Sequence, residues 1–158
     1  MTEQEYIGKK VAFHTLGCKL NFAESSSMAR KFEDMGFERV EYKDQADVYV
    51  INTCSVTAES DKKSRNLIRS AMKRNPNAVM MVTGCYAQLK SEDIAHLKGV
   101  DYVLGSGEKM NITSYIDKLQ KNEEPIIRIT DHRKIKNFFS SYSYGDRTRT
   151  FLKVQDGC

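Results

Sequence analysis

The sequence lacks a long hydrophobic run, a signal peptide and closely spaced pairs of cysteine. Its longest apolar stretches, such as Ala78 to Val82, are far shorter than the ~20 residues that a membrane-spanning helix needs. The polar start, MTEQEY, has no hydrophobic region of the kind that signal peptides carry. These absences predict a soluble cytoplasmic protein with no membrane partner.

The 158 residues include only four cysteines. Without close pairing or an export signal they form a poor disulfide framework and are better candidates for metal-binding or catalytic thiols. A hydrophobic fraction of 40% can build a core without disulfides. The net charge of +4 is compatible with a polyanionic partner but is too small to predict one.

Short apolar runs alternate with amphipathic helical segments up to Leu119. Asn21 is predicted as the N-cap of the first helix and Gly36 as the residue that ends it, with Ser25, Ser26 and Ser27 on its solvated side. This alternation predicts an α/β fold, in which helices flank an open parallel sheet of the Rossmann or flavodoxin-like kind. The predicted strands cover residues 10–15, 37–42, 47–52, 78–83 and 100–104, and the helices cover 22–35, 60–74, 91–97 and a segment carrying Ile112, Tyr115, Ile116 and Leu119.

The pattern changes after Leu119. KNEEP predicts a linker and IIRIT a short edge strand, whereas residues 131–149 show neither a helical nor a strand period. TFLKV, from Thr150, predicts a strand that opens a further domain. We therefore expect a first domain at residues 8–122, a linker at 123–149 and the truncated start of a second domain at 150–158.

Three of the cysteines follow the carboxyl ends of predicted strands. Cys18 follows VAFHTLG, Cys54 follows VYVINT and Cys85 follows AVMMVTG. Neighbouring strands lie only ~4.8 Å apart, and the crevice beyond their carboxyl ends is the ligand site of an open parallel sheet. A single cysteine there would be interpreted as a small buried residue. Its recurrence at three strand ends predicts a shared metal site.

The residues alone leave the identity of the metal open. Structural zinc sites usually take close CxxC pairs, which this chain lacks. An iron-sulfur cluster on three thiolates would leave one iron open to another ligand, which implies chemistry. A zinc-stabilised RNA-binding module remains an alternative. An FMN-dependent electron carrier is less favoured, because GCKL at residues 17–20 lacks the Ser and Thr of a flavin phosphate loop.

The segments HTLGCKLNFAES at 14–25, NTCSVT at 52–57 and TGCYAQ at 83–88 resemble the N-terminal domain of radical-SAM methylthiotransferases. The resemblance covers residues 8 to about 120. RTRTFLKVQDGC, at 147–158, is similar to the approach to that family's CxxxCxxC motif, with Cys158 as its first cysteine. NTCSVTAESDKKSR is most similar to the branch that acts on threonylcarbamoyladenosine beside the tRNA anticodon. The isopentenyladenosine and ribosomal-protein branches are alternatives.

The resemblance implies an auxiliary [4Fe-4S] cluster on Cys18, Cys54 and Cys85 that carries or donates sulfur at an open iron. It also implies a second cluster, which includes Cys158, on a radical-SAM barrel beyond this chain. That barrel would bind S-adenosylmethionine, and tRNA would be the substrate. No catalytic residue is assigned within the 158 residues, and without the barrel the chain is expected to be inactive.

Two basic segments have more than one interpretation. The stripe on the helix at 60–74 could contact phosphates or dock against the barrel, but an ordinary solvated helix face fits equally well. It comprises Lys62, Lys63, Arg65, Arg69, Lys73 and Arg74. The basic and aromatic segment between Arg128 and Lys153 is interpreted mainly as a connector, with a lesser RNA role. His14, His96 and His132 are given no role.

Overall fold

The computed structural model describes residues 6–16, 19–53, 58–116, 124–129, 141–142 and 152–153. For Cys85 it describes the backbone alone. None of the helices in these ranges combines the length and the hydrophobicity needed to span a bilayer.

Six strands form the sheet that was predicted. They are β1 (Lys10–Thr15), β2 (Glu38–Val40), β3 (Val48–Thr53), β4 (Val79–Gly84), β5 (Tyr102–Leu104) and β6 (Ile126–Arg128). Their order is β2-β1-β3-β4-β5-β6, and every neighbouring pair is parallel. The central strands β3 and β4 are buried along their whole length, as expected of strands covered on both faces. The predicted fold class is confirmed, and β6 is the predicted edge strand.

Helices cover both faces of the sheet. They are α1 (Lys19–Asp34), α2 (Ala58–Arg74), α3 (Cys85–Leu89), α4 (Ser91–Ala95) and a 3₁₀ helix, Ser106–Tyr115. Successive side chains of a strand point to opposite faces. Val48 and Val50 of β3 accordingly pack with α1 and the 3₁₀ helix, whereas Tyr49 and Ile51 pack with α2, α3 and α4.

The first helix differs from its prediction in two respects. It begins at Lys19, so Asn21 lies inside its first turn and is not an N-cap. Gly36, with φ of +106°, does lie just beyond its end, as predicted. Ser25, Ser26 and Ser27 were expected to face solvent, but all three are buried. The reason is that α1 is covered by the sheet, by the 3₁₀ helix and by a small strand pair.

The small strand pair is a further difference from the sequence pattern. Ser141–Tyr142 (β7) pairs antiparallel with Leu152–Lys153 (β8), and both strands contact α1. The β8 strand falls where a strand was predicted, whereas β7 is too short to show a period.

The segment that carries Ile112 forms a 3₁₀ helix, and Leu119 lies outside the described residues. The predicted helix at 91–97 ends at Ala95 and is preceded by the separate helix α3.

Candidate functional site

The strands β1, β3 and β4 are neighbours, and their carboxyl ends lie together along one side of the sheet. Thr15 of β1 lies opposite Asn52 of β3, and the Leu16 amide donates a 2.8 Å hydrogen bond to the Asn52 carbonyl. Thr53 of β3 lies opposite Gly84 of β4. Adjacent strands are ~4.8 Å apart, so the segments that follow these strands begin within about 10 Å of one another. We call this region the cysteine edge.

The predicted cysteine ligands belong to these three segments. Cys18, Cys54 and Cys158 all lie outside the described residues. Cys18 belongs to the segment 17–18, and Cys54 belongs to the segment 54–57. Cys85 is the first residue of α3 and directly follows Gly84. The strand order therefore brings the attachment points of all three segments to one edge.

Asn21 joins the ends of β1 and β3. Its side-chain amide donates hydrogen bonds of 2.9 Å to the carbonyl oxygens of both Leu16 and Thr53. Leu16 is the last described residue before Cys18, and Thr53 is the last before Cys54. Asn21 is buried, so water competes little for these bonds. One side chain thus fixes the points at which two cysteine-bearing segments leave the sheet.

Three further polar side chains extend this contact into the interior. The Asn52 amide donates to the Asn21 carbonyl and to the Ser25 hydroxyl, each at 3.0 Å. The Thr15 hydroxyl also donates to the Ser25 hydroxyl, at 2.6 Å. A buried polar group left without its partner costs about 1–3 kcal/mol, so each member of the network resists displacement of the others.

Thr53 and Gly84 hold the ends of β3 and β4 in close contact. The Thr53 hydroxyl donates to the Thr83 carbonyl at 2.8 Å and accepts from the Ala87 amide at 3.4 Å. Gly84 has φ of +108°, and a β-carbon on it would lie 2.1 Å from the Thr53 carbonyl oxygen. Only glycine allows this approach. The backbone of Cys85 is therefore placed directly beside the end of β3.

A third contact joins α2 to α3. The Tyr86 hydroxyl donates to the Asp61 carboxylate, which also pairs with Arg65 at 2.9 Å. Tyr86 follows Cys85, and Asp61 lies in the first turn of α2, shortly after Cys54. Burial, followed by the bond to Asp61, raises the pKa of Tyr86 to about 12. The phenol thus remains a donor at neutral pH.

Two buried polar atoms beneath the cysteine edge have no hydrogen-bond partner among the described residues. They are Asn52 Oδ1 and Thr83 Oγ1, which lie at paired positions of β3 and β4. The Thr83 hydroxyl is therefore free to donate to an acceptor. Sulfides and thiolates of a cluster accept such bonds. In the part of the chain that the structure describes, no group of three or more His, Cys, Asp and Glu residues could hold a metal ion.

Sequence reasoning missed Asn21, Ser25 and Asn52 as residues of the site. A signal was present, because VYVINT is an apolar strand with a single amide side chain before its terminal threonine. An amide at the end of a buried strand requires a buried partner. What the sequence did not reveal is that the partner lies on α1.

The fold defines an α/β domain of the open parallel-sheet class whose connecting segments converge at the carboxyl edge. A family model described as Uncharacterized protein family UPF0004 matches residues 10–105. The chain belongs to this family, which forms the N-terminal domain of methylthiotransferases.

Several curated proteins are similar to most of the chain. Over 150 residues it is 43% identical to "Threonylcarbamoyladenosine tRNA methylthiotransferase MtaB" of Bacillus subtilis, covering 94% of the chain and 33% of that protein. The Aquifex aeolicus protein of the same name is 41% identical over 152 residues, which are 94% of the chain and 37% of that protein. "tRNA-2-methylthio-N(6)-dimethylallyladenosine synthase" of Methylacidiphilum infernorum is 34% identical over 156 residues, with coverages of 94% and 33%. The chain therefore spans about a third of the length of these relatives.

Proposed function

We propose that Cys18, Cys54 and Cys85 together hold an auxiliary [4Fe-4S] cluster, and that the chain is the cluster-binding domain of a tRNA methylthiotransferase. The observation that carries this proposal is the adjacency of β1, β3 and β4, whose carboxyl ends lead into the three cysteine-bearing segments. The order along the chain did not require it, because β2 lies between β1 and β3 in sequence but outside them in the sheet.

The polar contacts at the edge support this role by preorganising the segments. Asn21 fixes the starts of the Cys18 and Cys54 segments, and the contact between Asp61 and Tyr86 joins the end of one segment to the start of another. A site held in this way loses little conformational entropy when it binds its ligand. Bound there, a cluster with three thiolate ligands would keep one iron open and could supply sulfur at that position.

The position of one helix also favours a thiolate at Cys18. Cys18 directly precedes α1, a helix of 16 residues. The positive end of a helix dipole stabilises a nearby anion and lowers the pKa of a thiol. The Cys18 segment therefore suits an anionic cluster better than a neutral thiol.

The names of the relatives support a substrate, and the resemblance of residues 147–158 to a radical-SAM approach segment supports a partner domain. We infer that Cys158 is the first ligand of a second cluster on a radical-SAM barrel that binds S-adenosylmethionine in the same polypeptide. Relatives named for threonylcarbamoyladenosine are 29–43% identical to the chain, and relatives named for dimethylallyladenosine are 24–34% identical. These values favour tRNA threonylcarbamoyladenosine as the substrate.

Iron counting after anaerobic reconstitution with iron and sulfide tests the cluster. The unaltered chain should bind about four iron atoms and give the spectrum of a [4Fe-4S] centre. Cys18→Ala, Cys54→Ala and Cys85→Ala should each lose most of this iron. Cys158→Ala, a cysteine substitution outside the proposed site, is the matched control and should retain both the iron and the spectrum.

Two results would contradict the proposed cluster. Stoichiometric zinc in place of iron would support a zinc-stabilised RNA-binding module. An equal loss of iron in Cys158→Ala would indicate four thiolate ligands and no open iron. The substrate is tested separately, by mass spectrometry of tRNA nucleosides from cells with and without the proposed methylthiotransferase that contains this chain. Loss of methylthio-isopentenyladenosine, with methylthio-threonylcarbamoyladenosine unchanged, would assign the other branch.

A further inference from the structure

The positive charge of the chain is concentrated on one helix. Six basic and two acidic residues lie on α2, an excess of four. The formal net charge of the whole chain is also +4, so the remaining residues carry equal numbers of the two signs. Such concentration on a single element is the electrostatic pattern of a surface that faces a polyanion.

Three of these cations form one exposed row. Lys62, Arg69 and Lys73 are all exposed and lie on the same side of α2, because their spacing of seven and four residues corresponds to whole helical turns. Their α-carbons span about 16 Å along the helix axis. Among the residues that the structure describes, Lys63 and Arg65 pair with acidic side chains of α2, whereas none of these three does. We call Lys62, Arg69 and Lys73 the cationic row.

A groove of about 370 Å³ runs beside this row, between α2 and the end of β1. Its lining is mainly apolar and includes His14, Leu16, Lys63, Asn66, Leu67 and Ser70. Asn66 is exposed and lies between Lys62 and Arg69 on the same side of the helix. The groove thus presents an apolar floor, an amide at its rim and cations alongside.

The His14 ring is held as part of this floor. It lies edge-on to the Tyr42 ring at 5.3 Å, and the Tyr42 hydroxyl donates to the Leu67 carbonyl at 2.8 Å. Partial burial lowers the pKa of His14, so the imidazole is neutral at neutral pH. A neutral ring beside aliphatic side chains is a surface on which a nucleobase can stack.

We propose that the groove and the cationic row bind single-stranded RNA, with a base in the groove and phosphates along Lys62, Arg69 and Lys73. An acidic protein surface would match the charge of the row, but the apolar floor beside a rim amide favours a nucleobase, which offers a flat face and a hydrogen-bonding edge. Leu16 lies two residues before Cys18, and α2 begins four residues after Cys54. The bound strand would therefore pass beside the cysteine edge.

The test measures binding of a labelled oligoadenylate by fluorescence anisotropy at salt concentrations from about 50 to 200 mM. For single strands the slope of log K against log salt changes by roughly 0.7 per phosphate contact, so Lys62→Gln, Arg69→Gln and Lys73→Gln together should reduce it by about 2. Asn66→Ala should weaken binding roughly fivefold, with the slope unchanged, because it removes one hydrogen bond to the base.

The matched control is Lys9→Gln, Lys31→Gln and Lys98→Gln together. These lysines are exposed, lie near the amino ends of the strands and give the same change in charge. An equal reduction of the slope in this variant would overturn the proposal, since binding would then follow net charge alone. Binding of polyglutamate that depends on the cationic row, without binding of RNA, would overturn it in favour of an acidic protein partner.

The identity of the polyanion as RNA rests on the proposed function. Binding of RNA by the groove and the cationic row does not depend on the cluster. Iron content is measured in every preparation. A chain that binds iron but not RNA contradicts this inference alone, and a chain that binds RNA but not iron contradicts only the cluster.

Discussion

The side-chain amide of Asn21 donates a 2.9 Å hydrogen bond to the carbonyl oxygen of Thr53, which lies 32 residues further along the chain. The same amide bonds the Leu16 carbonyl at 2.9 Å. A residue in the first turn of α1 therefore joins the ends of two neighbouring strands. Both strands lead directly into proposed cluster ligands, so this contact connects the stability of the fold with the geometry of the site.

We expect Asn21→Ala to destabilise the protein and to reduce its iron content. The substitution removes the side-chain donor to the Leu16 and Thr53 carbonyls, which should cost about 2–3 kcal/mol. Denaturant unfolding measures the first effect, and iron per chain after reconstitution measures the second. Asn21→Ala should bind less iron even under conditions in which it is fully folded.

Asn111→Ala is the control for this prediction. Asn111 is exposed. The Ser114 hydroxyl donates to the backbone carbonyl of Asn111, and alanine keeps this carbonyl. Its substitution should change the free energy of unfolding by no more than about 0.5 kcal/mol. Full iron content in folded Asn21→Ala would show that Asn21 stabilises the domain without positioning the ligands.

Gly84→Ala should destabilise the protein more than Gly8→Ala does. Both glycines have positive φ, of +108° and +88°, so both substitutions carry the same kind of backbone strain. A β-carbon at residue 8 would meet open space, whereas at residue 84 it would lie 2.1 Å from the Thr53 carbonyl oxygen. We expect about 1 kcal/mol for Gly8→Ala and at least ~3 kcal/mol for Gly84→Ala. Equal losses in denaturant unfolding would contradict the close contact between β3 and β4.

Tyr86 should make stability depend on pH in the alkaline range. Burial is the main cause that raises its pKa from 10.0 to about 12 in the folded protein. Stability from the neutral phenol is therefore fully present below pH 10 and lost as pH rises through about 12. Across this pH range the free energy of unfolding should fall less in Tyr86→Phe than in the unaltered chain. Asp61→Asn should retain most of the loss, because burial outweighs the contact with Asp61. A slope in Tyr86→Phe equal to that of the unaltered chain would contradict this assignment.

Much of the architecture could be predicted from local patterns. The apolar runs at 47–52 and 78–83 became β3 and β4 within one residue at each end, since fully buried parallel strands are recognisable from composition alone. Gly36 marked the end of the first helix because its conformation disfavours other residues. The motifs around Cys18, Cys54 and Cys85 resemble the family to which the chain belongs.

The sequence by itself determined the alternation of strands and helices and the position of each cysteine after a strand. Only the tertiary structure decided that β1, β3 and β4 are neighbours, that Asn21 points into the edge between them, and that Ser25 is buried. Local periodicity reports which residues of a segment face apolar surroundings, but not which distant segment supplies them. Strand order and buried polar partners depend on contacts between segments about 30 residues apart, where packing and hydrogen bonding outweigh local preference.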